Sequence, residues 1–534
     1  MAPPYATLEV LGGRGPCRRP AALQALTIAF AVLTFAAPAQ AQDAEPDTSY
    51  LAGETEAPAL GMTLDQAQRL AVANSPTARG ALAAWKSARG ERLREAGTFD
   101  PVLFGVQSRI STDSPVTSPF AASELRQRTL SGGLSWLSPV GTALALSLSR
   151  TTTETNAPFT TLPRERRTHA RLDFVQPLLR GFGTTATRGE LRALDREQEA
   201  ARHRYEAATR DLRADVENAY WELYAAERDL AVQRLQRQRA ATFLRDQMLR
   251  GRAGAVGPGA VAAARRFLAE QEAQLIDVRL RSRAASDRLS EVLGVSASSQ
   301  ERIHGLDEPP APTAVEPLAT ALERALRGNP SLLSAEQDEA AAQARFRRAA
   351  HNAWPAIEAF GGYGGAGLAG TGRQIVFGSD TVGTNTDTGF GDAWDQVWND
   401  AYPDWSLGVR VRVPVGWRSD RGERERQRGN WDRAREAARA RRLALENQVR
   451  RTHREAELSQ EGLRAMRTLV AAAREQARIG RLEYQAGRAT AYDLIGIEAD
   501  LARAELLESQ VLVRVARAQT ELRRLTSTVP ESPK

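Results

Sequence analysis

Cysteine is nearly absent. The 534 residues contain one, Cys17, and it precedes an apolar stretch that reads as a removable leader. Without a cysteine after that stretch, a disulfide framework, a thiol nucleophile and a lipid anchor are all excluded from the remainder. Lysine occurs only at Lys86 and Lys534, so almost every positive charge is a guanidinium. Aromatic residues make up 6%, little for a globular enzyme of this length and more in keeping with long Ala/Leu/Arg/Glu helices. The five histidines, His169, His203, His304, His351 and His453, show no metal-ligand spacing. No nucleophile motif frames a serine, and no cofactor site is expected. Beyond the leader no run of about 18 apolar residues exists, which excludes a spanning helix and leaves a β-barrel as the only route into a bilayer.

The N-terminus sets the compartment. Arg14, Arg18 and Arg19 precede the apolar run Ala21 to Ala37, and Ala39-Gln40-Ala41 supplies a small-x-small cleavage pattern. Residues 1–41 therefore read as a secretory signal peptide, and 42–61 as a disordered segment. The formal net charge is +7. Arginine alternates with Glu and Asp along helical stretches such as Arg421 to Arg454, the pattern of a salt-bridged, solvated face. With no aromatic-basic or zinc-finger spacing beside it, no nucleic-acid partner is expected.

The chain is written twice. TLDQAQRLAVANSP (63–76) leads through a helical run to Pro101, and PLATALERALRGNP (317–330) leads to Pro355. Pro76 and Pro330 are 254 residues apart, as are Pro101 and Pro355. Farther on the offset falls: 237 separates Pro177 from Pro414, and 233 separates Gly254 from Gly487. Each half reads as short helix, helix, strands, long helix, tight break, long helix. The units are 62–296 and 317–526, joined by a Pro-rich crossing at 297–316, with a tail at 527–534.

Leu212, Val216, Ala219, Leu223, Ala226 and Leu230 step by four and three, an a/d seam. Further seams run from Leu268 to Val292 and from Leu494 to Leu525. The stretch from Arg188 to Arg250 predicts a rod on the order of 90 Å at 1.5 Å per residue. In the strand regions apolar and polar residues alternate. Trp405, Leu407, Val409, Val411, Val413 and Val415 oppose Arg410 and Arg412, and Ala170, Leu172 and Phe174 oppose His169, Arg171 and Asp173. One apolar and one polar face over about ten residues is the membrane β-strand pattern, and Trp136, Trp394, Trp398, Trp405 and Trp417 fit an interfacial girdle. The five polar residues are candidates for a pore lining.

Strands are expected near 101–111, 129–137, 142–152, 167–176, 355–364 and 404–415. Four to six strands cannot close a membrane barrel, for which about eight is the minimum, so several chains must share one. The 129–152 hairpin reads either as two barrel strands or as an extracellular appendage on a four-strand subunit. The sequence favours the appendage, because a twelve-helix tunnel then joins a twelve-strand barrel without a mismatch in girth.

These residues resemble the outer membrane efflux proteins, the TolC-like family, over about residues 62–526. QPLLRGFG (176–183) resembles the family's strand-to-helix junction, TLDQAQRLAVANSP its opening helix, and Tyr484-Gln-Ala-Gly487-Arg-Ala-Thr490-Ala-Tyr-Asp493 its second periplasmic tip. The resemblance implies a mainly α fold with membrane β: a duplicated helix–strand–helix repeat forming a trimeric outer-membrane β-barrel on a long periplasmic α-helical coiled-coil barrel. It implies a homotrimer set in outer-membrane lipid, met by a periplasmic adaptor and an inner-membrane transporter. It assigns adaptor docking and entrance gating to the tips, at Gly254, Gly257, Tyr484, Gly487, Thr490 and Asp493. Ala260 stands where the first tip would carry Asp, and Ala489 where the second would carry Arg, so the family's latch is incomplete. The function implied is a passive exit channel of a tripartite efflux or secretion system. The alternatives are a type I protein-secretion duct and a structural coiled-coil envelope rod. Gly365-Ala-Gly367-Leu-Ala-Gly370 fits G-x-G-x-x-G but runs on into polar residues rather than a helix, and reads as a mobile barrel loop.

Overall fold

The computed structural model describes residues 59–118, 120–296, 302–383 and 385–526. The leader at 1–41, most of 42–61, residues 297–301 of the crossing and the tail at 527–534 lie outside them.

The first half comprises β1 (Ala59–Met62), α1 (Leu64–Asn74), α2 (Pro76–Ala96), β2 (Val102–Asp113), β3 (Glu124–Leu137), β4 (Ala143–Thr155), β5 (Arg164–Pro177), the single turn α3 (Gly183–Thr187), α4 (Gly189–Arg252) and α5 (Pro258–Leu293). The second comprises β6 (Arg302–Gly305), α6 (Leu318–Gly328), α7 (Pro330–Asn352), β7 (Ala356–Thr371), the small hairpin β8 (Ile375–Phe377) and β9 (Asp380–Val382), α8 (Phe390–Trp398), β10 (Pro403–Arg412), α9 (Arg418–Gln485) and α10 (Ala491–Thr526).

Local chemistry sets these boundaries. Thr63 and Gln66 form a reciprocal capping box at the start of α1. Pro76, Pro258 and Pro330 occupy the first turns of α2, α5 and α7, where a missing N–H costs nothing. Gly294, at φ +70°, ends α5 in the left-handed conformation that a side chain would oppose. Residues 59–61, expected to be disordered, instead form β1, which pairs in parallel with β6. The reason is long-range: two short strands, 240 residues apart in sequence, satisfy each other's backbone.

The long helices α4 and α9 have 64 and 68 residues, about 100 Å at 1.5 Å per residue. Pairs of shorter helices flank them: α2, α5, α7 and α10 along α4, and α7 and α10 along α9. The core repeats with the sequence. Ala67, Ala71 and Ala78 pack with Leu212 and Val216, while Ala321, Ala325 and Leu332 pack with Leu445 and Val449. The short-helix residues differ by 254 and the long-helix residues by 233, the two offsets read in the sequence. Small alanines at these contacts let helix axes approach closely, and fully burying each Leu or Val contributes about 1.5–3 kcal/mol.

A polar tie repeats likewise. The Tyr220 hydroxyl donates to the Met62 carbonyl at 2.9 Å and accepts the Asp307 N–H at 2.9 Å. In the second half His453 Nε2 lies 2.7 Å from the Glu316 carbonyl oxygen. Positions 62 and 316 differ by 254, and 220 and 453 by 233. Each tie fastens the chain entering a repeat to the middle of that repeat's long helix. Burial pushes the Tyr220 phenol above its ordinary pKa.

All six long strands form one antiparallel sheet in the order β10-β7-β5-β4-β3-β2. The preference for an extracellular appendage was therefore wrong. β3 and β4 are ladder-paired along their length, to β2 on one side and β5 on the other. Their turn lies at the helical end: Gly183 N–H donates to the Val140 carbonyl at 2.9 Å, and the Thr187 hydroxyl donates to the Pro139 carbonyl. Joining the sheet pairs both outer edges of this hairpin, to β2 and to β5, and that outweighs an equal girth of tunnel and barrel.

The G-x-G-x-x-G segment is also no loop. It lies inside β7, and its glycines admit a neighbour. A Cβ at Gly367 would collide with the Ala393 carbonyl of α8, and one at Gly365 would press on Val397. Beyond the end of β10 the edge of β7 is covered by side chains of this connection. Gln396 Nε2 donates to the Leu368 carbonyl and its Oε1 accepts the Leu368 N–H, while Thr388 does the same at Gly370.

Candidate functional site

Two features can carry function: the faces of the sheet, and the end of the helical bundle away from it.

The ladder places Leu103, Leu134, Leu146, Leu172, Tyr363 and Trp405 in one row across all six strands. Each is exposed, from 40% to 82%. The opposite face carries His169, Arg171, Asp173, Arg410 and Arg412 together. His169 Nε2 is 2.9 Å from Asp404, Arg171 pairs with Asp404 and, at 2.8 Å, with Asp173, and it donates to Ser406 at 2.7 Å. Arg412 and Arg410 lie 2.9 and 3.6 Å from Glu358, and Arg410 also covers the Phe360 ring. Asp404, Glu358 and Ser406 were not read as site residues; Asp404 and Ser406 flank Trp405 at the parity of Arg410 and Arg412, and that spacing could have found them. The hairpin adds no charge to this part of the face, only hydroxyls such as Ser131, Ser135, Ser147 and Ser149. One strand departs from the pattern: β2 also turns Phe104, Val106 and Ile110 to the polar side.

At the far end, α4 gives way to α5 through Gly254 (φ +72°) and α9 to α10 through Gly487 (φ +70°). The second turn is locked by its own residues. The Thr490 N–H and hydroxyl donate to Asp493 at 2.9 and 2.6 Å, and the Asp493 N–H returns to the Thr490 hydroxyl at 3.2 Å. These bonds hold the Asp493 carboxyl below the usual carboxylate range. The first turn has Gly257 and Ala260 at the corresponding places, with no side chain to do the same.

Tyr484 does not meet the first turn. It is buried one turn before it, against α4: Gln247 donates to its hydroxyl, Asp246 accepts from it at 3.4 Å, and the Arg250 guanidinium sits 5.0 Å above its ring. Arg250 also bridges to Asp246 at 3.0 Å, and Phe243 packs beside the ring at 5.9 Å. Glu498 then joins three helices, taking Arg239 from α4 at 3.3 Å and Arg481 from α9 at 2.5 Å. Sequence reasoning missed Asp246, Gln247, Arg250 and Glu498. The i,i+4 acid–base pair Asp246/Arg250 just before a glycine break was the available clue.

Among the described residues no helix is long and apolar enough to cross a membrane, and no group of three acidic, His or Cys residues is placed to hold a metal ion.

The sequence model of one family, described as outer membrane efflux protein, matches residues 141–295 and 321–528. No curated protein matches the sequence. Among solved structures, the outer-membrane channel OprN superposes with a TM-score of 0.61 at 17% identity, over 87% of this chain and 90% of that one. The CmeC outer membrane channel of Campylobacter jejuni gives 0.59 at 13%, over 87% and 85%. The outer membrane protein VceC of Vibrio cholerae gives 0.59 at 15%, over 87% and 95%. At such identities the likeness is one of fold.

Proposed function

The chain belongs to the outer membrane efflux protein family, and from that premise we propose that three copies close into one passive exit duct, fed from the periplasm by an adaptor and an inner-membrane transporter. One observation carries the reading: a six-stranded sheet with an apolar and a polar face has, among the described residues, a free edge at β2 and another at β10. Unpaired strand edges are not tolerated in hydrocarbon. β2 runs away from the helices and β10 runs toward them, so the β10 edge of one copy can pair antiparallel with the β2 edge of the next. Three copies give eighteen strands, within the size range that leaves an aqueous channel. His169, Arg171, Asp173, Arg410 and Arg412 then line the lumen, and the helices continue the duct into the periplasm.

Under this reading the two turns, Gly254 to Gly257 and Gly487 to Asp493, form the periplasmic mouth and meet the adaptor. Tyr484 holds α9 against α4 behind that mouth, and opening requires this contact to slide or break. The duct has no catalytic role. A protein-secretion duct would share all these features; an envelope rod would have no use for a sheet with an apolar outer face.

The test is assembly and conductance. Detergent-purified protein should run as a heat-dissociable trimer and conduct ions in a planar bilayer. A conducting monomer, or a trimer without conductance, would overturn the reading.

A further inference from the structure

The apolar face does not stay apolar along its length. Beyond the row of Leu103 to Trp405, toward the loop end of the strands, the same face carries six arginines: Arg109, Arg126, Arg128, Arg150, Arg164 and Arg166. Three have acidic partners. Arg126 lies 3.4 Å from Glu124, Arg164 2.8 Å from Glu154, and Arg166 3.2 Å from Asp387. Arg150 lies over the Phe390 ring at 5.5 Å. Arg109 and Arg128 are exposed and have no partner among the described residues, although Asp113 and Glu124 stand on the same face at the strand ends. They also sit directly opposite each other in the β2–β3 ladder. Like charges in that position repel.

A second feature marks the same height. α8 packs on this face through Ala393 and Val397, over Gly367 and Gly365. Gly367 shares a cross-strand row with Thr168 and Arg150, one row from Arg109 and Arg128. α8 carries Trp394 and Trp398, stacked at 6.0 Å, with Trp398 71% exposed. An exposed tryptophan stacked on a half-buried one beside an apolar band fits a bilayer–water interface.

We propose that Arg109 and Arg128, with Arg150 beside them, bind the phosphate groups of anionic lipid headgroups in the outer leaflet, forming a belt that fixes the barrel's depth. A phosphate between the two guanidiniums turns their repulsion into two charge-assisted, bidentate contacts. The tryptophans of α8 sit in the adjoining headgroup layer. The proposal rests on the barrel reading above.

The test compares trimers reconstituted in phosphatidylcholine vesicles with and without phosphatidylglycerol, read by the temperature at which the trimer dissociates in detergent-containing gels. The wild-type midpoint should rise with phosphatidylglycerol, and the rise should disappear in Arg109→Gln/Arg128→Gln. Arg109→Lys/Arg128→Lys should keep part of it, and Arg410→Gln/Arg412→Gln, on the opposite face, should keep all of it. Inorganic phosphate in the buffer should not substitute for the lipid; if it does, the site takes free phosphate and the headgroup assignment fails. A wild-type midpoint indifferent to phosphatidylglycerol overturns the belt. So does a Gln variant that loses stability equally in both vesicles, which would point to carboxylates of a neighbouring copy. Failure to insert into either vesicle would instead count against the barrel reading.

Discussion

The two repeats agree in the middle and disagree at both ends. In the middle, Ala67/Ala321, Ala71/Ala325, Leu212/Leu445 and Val216/Val449 hold equivalent places in two cores, and Tyr220 and His453 make the same tie with different chemistry. At the sheet, the first repeat supplies four strands with a hydroxyl-lined hairpin, and the second supplies two strands and a Trp-bearing helix laid on the apolar face. At the far turns, Thr490 and Asp493 lock one break and Gly257 and Ala260 leave the other unlocked. Close helix packing tolerates little change of volume, so the tube keeps both copies alike. Strand number and turn chemistry lie outside that packed middle, and there the copies differ.

If the cores are equivalent, Leu212→Ala and Leu445→Ala should destabilise by the same amount, about 2–5 kcal/mol each. Thermal unfolding of the two variants measures this, and a twofold difference would break the equivalence. The sheet comes next. Val411→Arg places charge on the outer face of β10, at about 2–4 kcal/mol per copy near the midplane and less toward the interface. It should prevent trimer assembly, while Arg412→Ser should assemble normally and shift ion selectivity in bilayer recordings. Equal assembly of both would remove the assigned faces. Next, Tyr220→Phe removes both the donor to the Met62 carbonyl and the acceptor of the Asp307 N–H and should cost about 1–3 kcal/mol. If the ties are equivalent, His453→Phe should cost a similar amount by denaturant unfolding.

The smallest effect is at the turns. Thr490→Ala should loosen the start of α10 by about 1 kcal/mol, seen as faster amide exchange there, while Gly257→Thr with Ala260→Asp should slow exchange at the start of α5. The Asp493 contribution should be present above about pH 4 and lost as pH falls through its lowered pKa, because protonation removes the acceptor.

Much of this was legible in the sequence. The duplication, both long helices, all six strands and the alternation along β4, β5 and β10 followed from prolines at fixed offsets and from periods of 3.5 and 2. What stayed hidden depended on long-range pairing. β1 finds β6 across 240 residues, and no local pattern in Ala59–Met62 announces it. Whether the hairpin joined the sheet could not be read from alternation, because a free hairpin alternates too. The glycines of β7 looked like a loop because the reason for them, the backbone of α8, lies 26 residues away from Gly367 at Ala393. At the tip, Tyr484 was found from a motif, but its partners on α4 belong to the other repeat.

The central claim is that the hairpin belongs to the barrel, with its turn on the helical side of the membrane. Single cysteines at Val140, in that turn, and at Thr117, in a loop at the opposite end, can be placed in a Cys17-free background. Intact cells are then treated with a maleimide too bulky to pass the duct. The account predicts labelling at Thr117 alone, with Val140 becoming reactive only once the outer membrane is permeabilised. Equal labelling of Val140 in intact cells would contradict it.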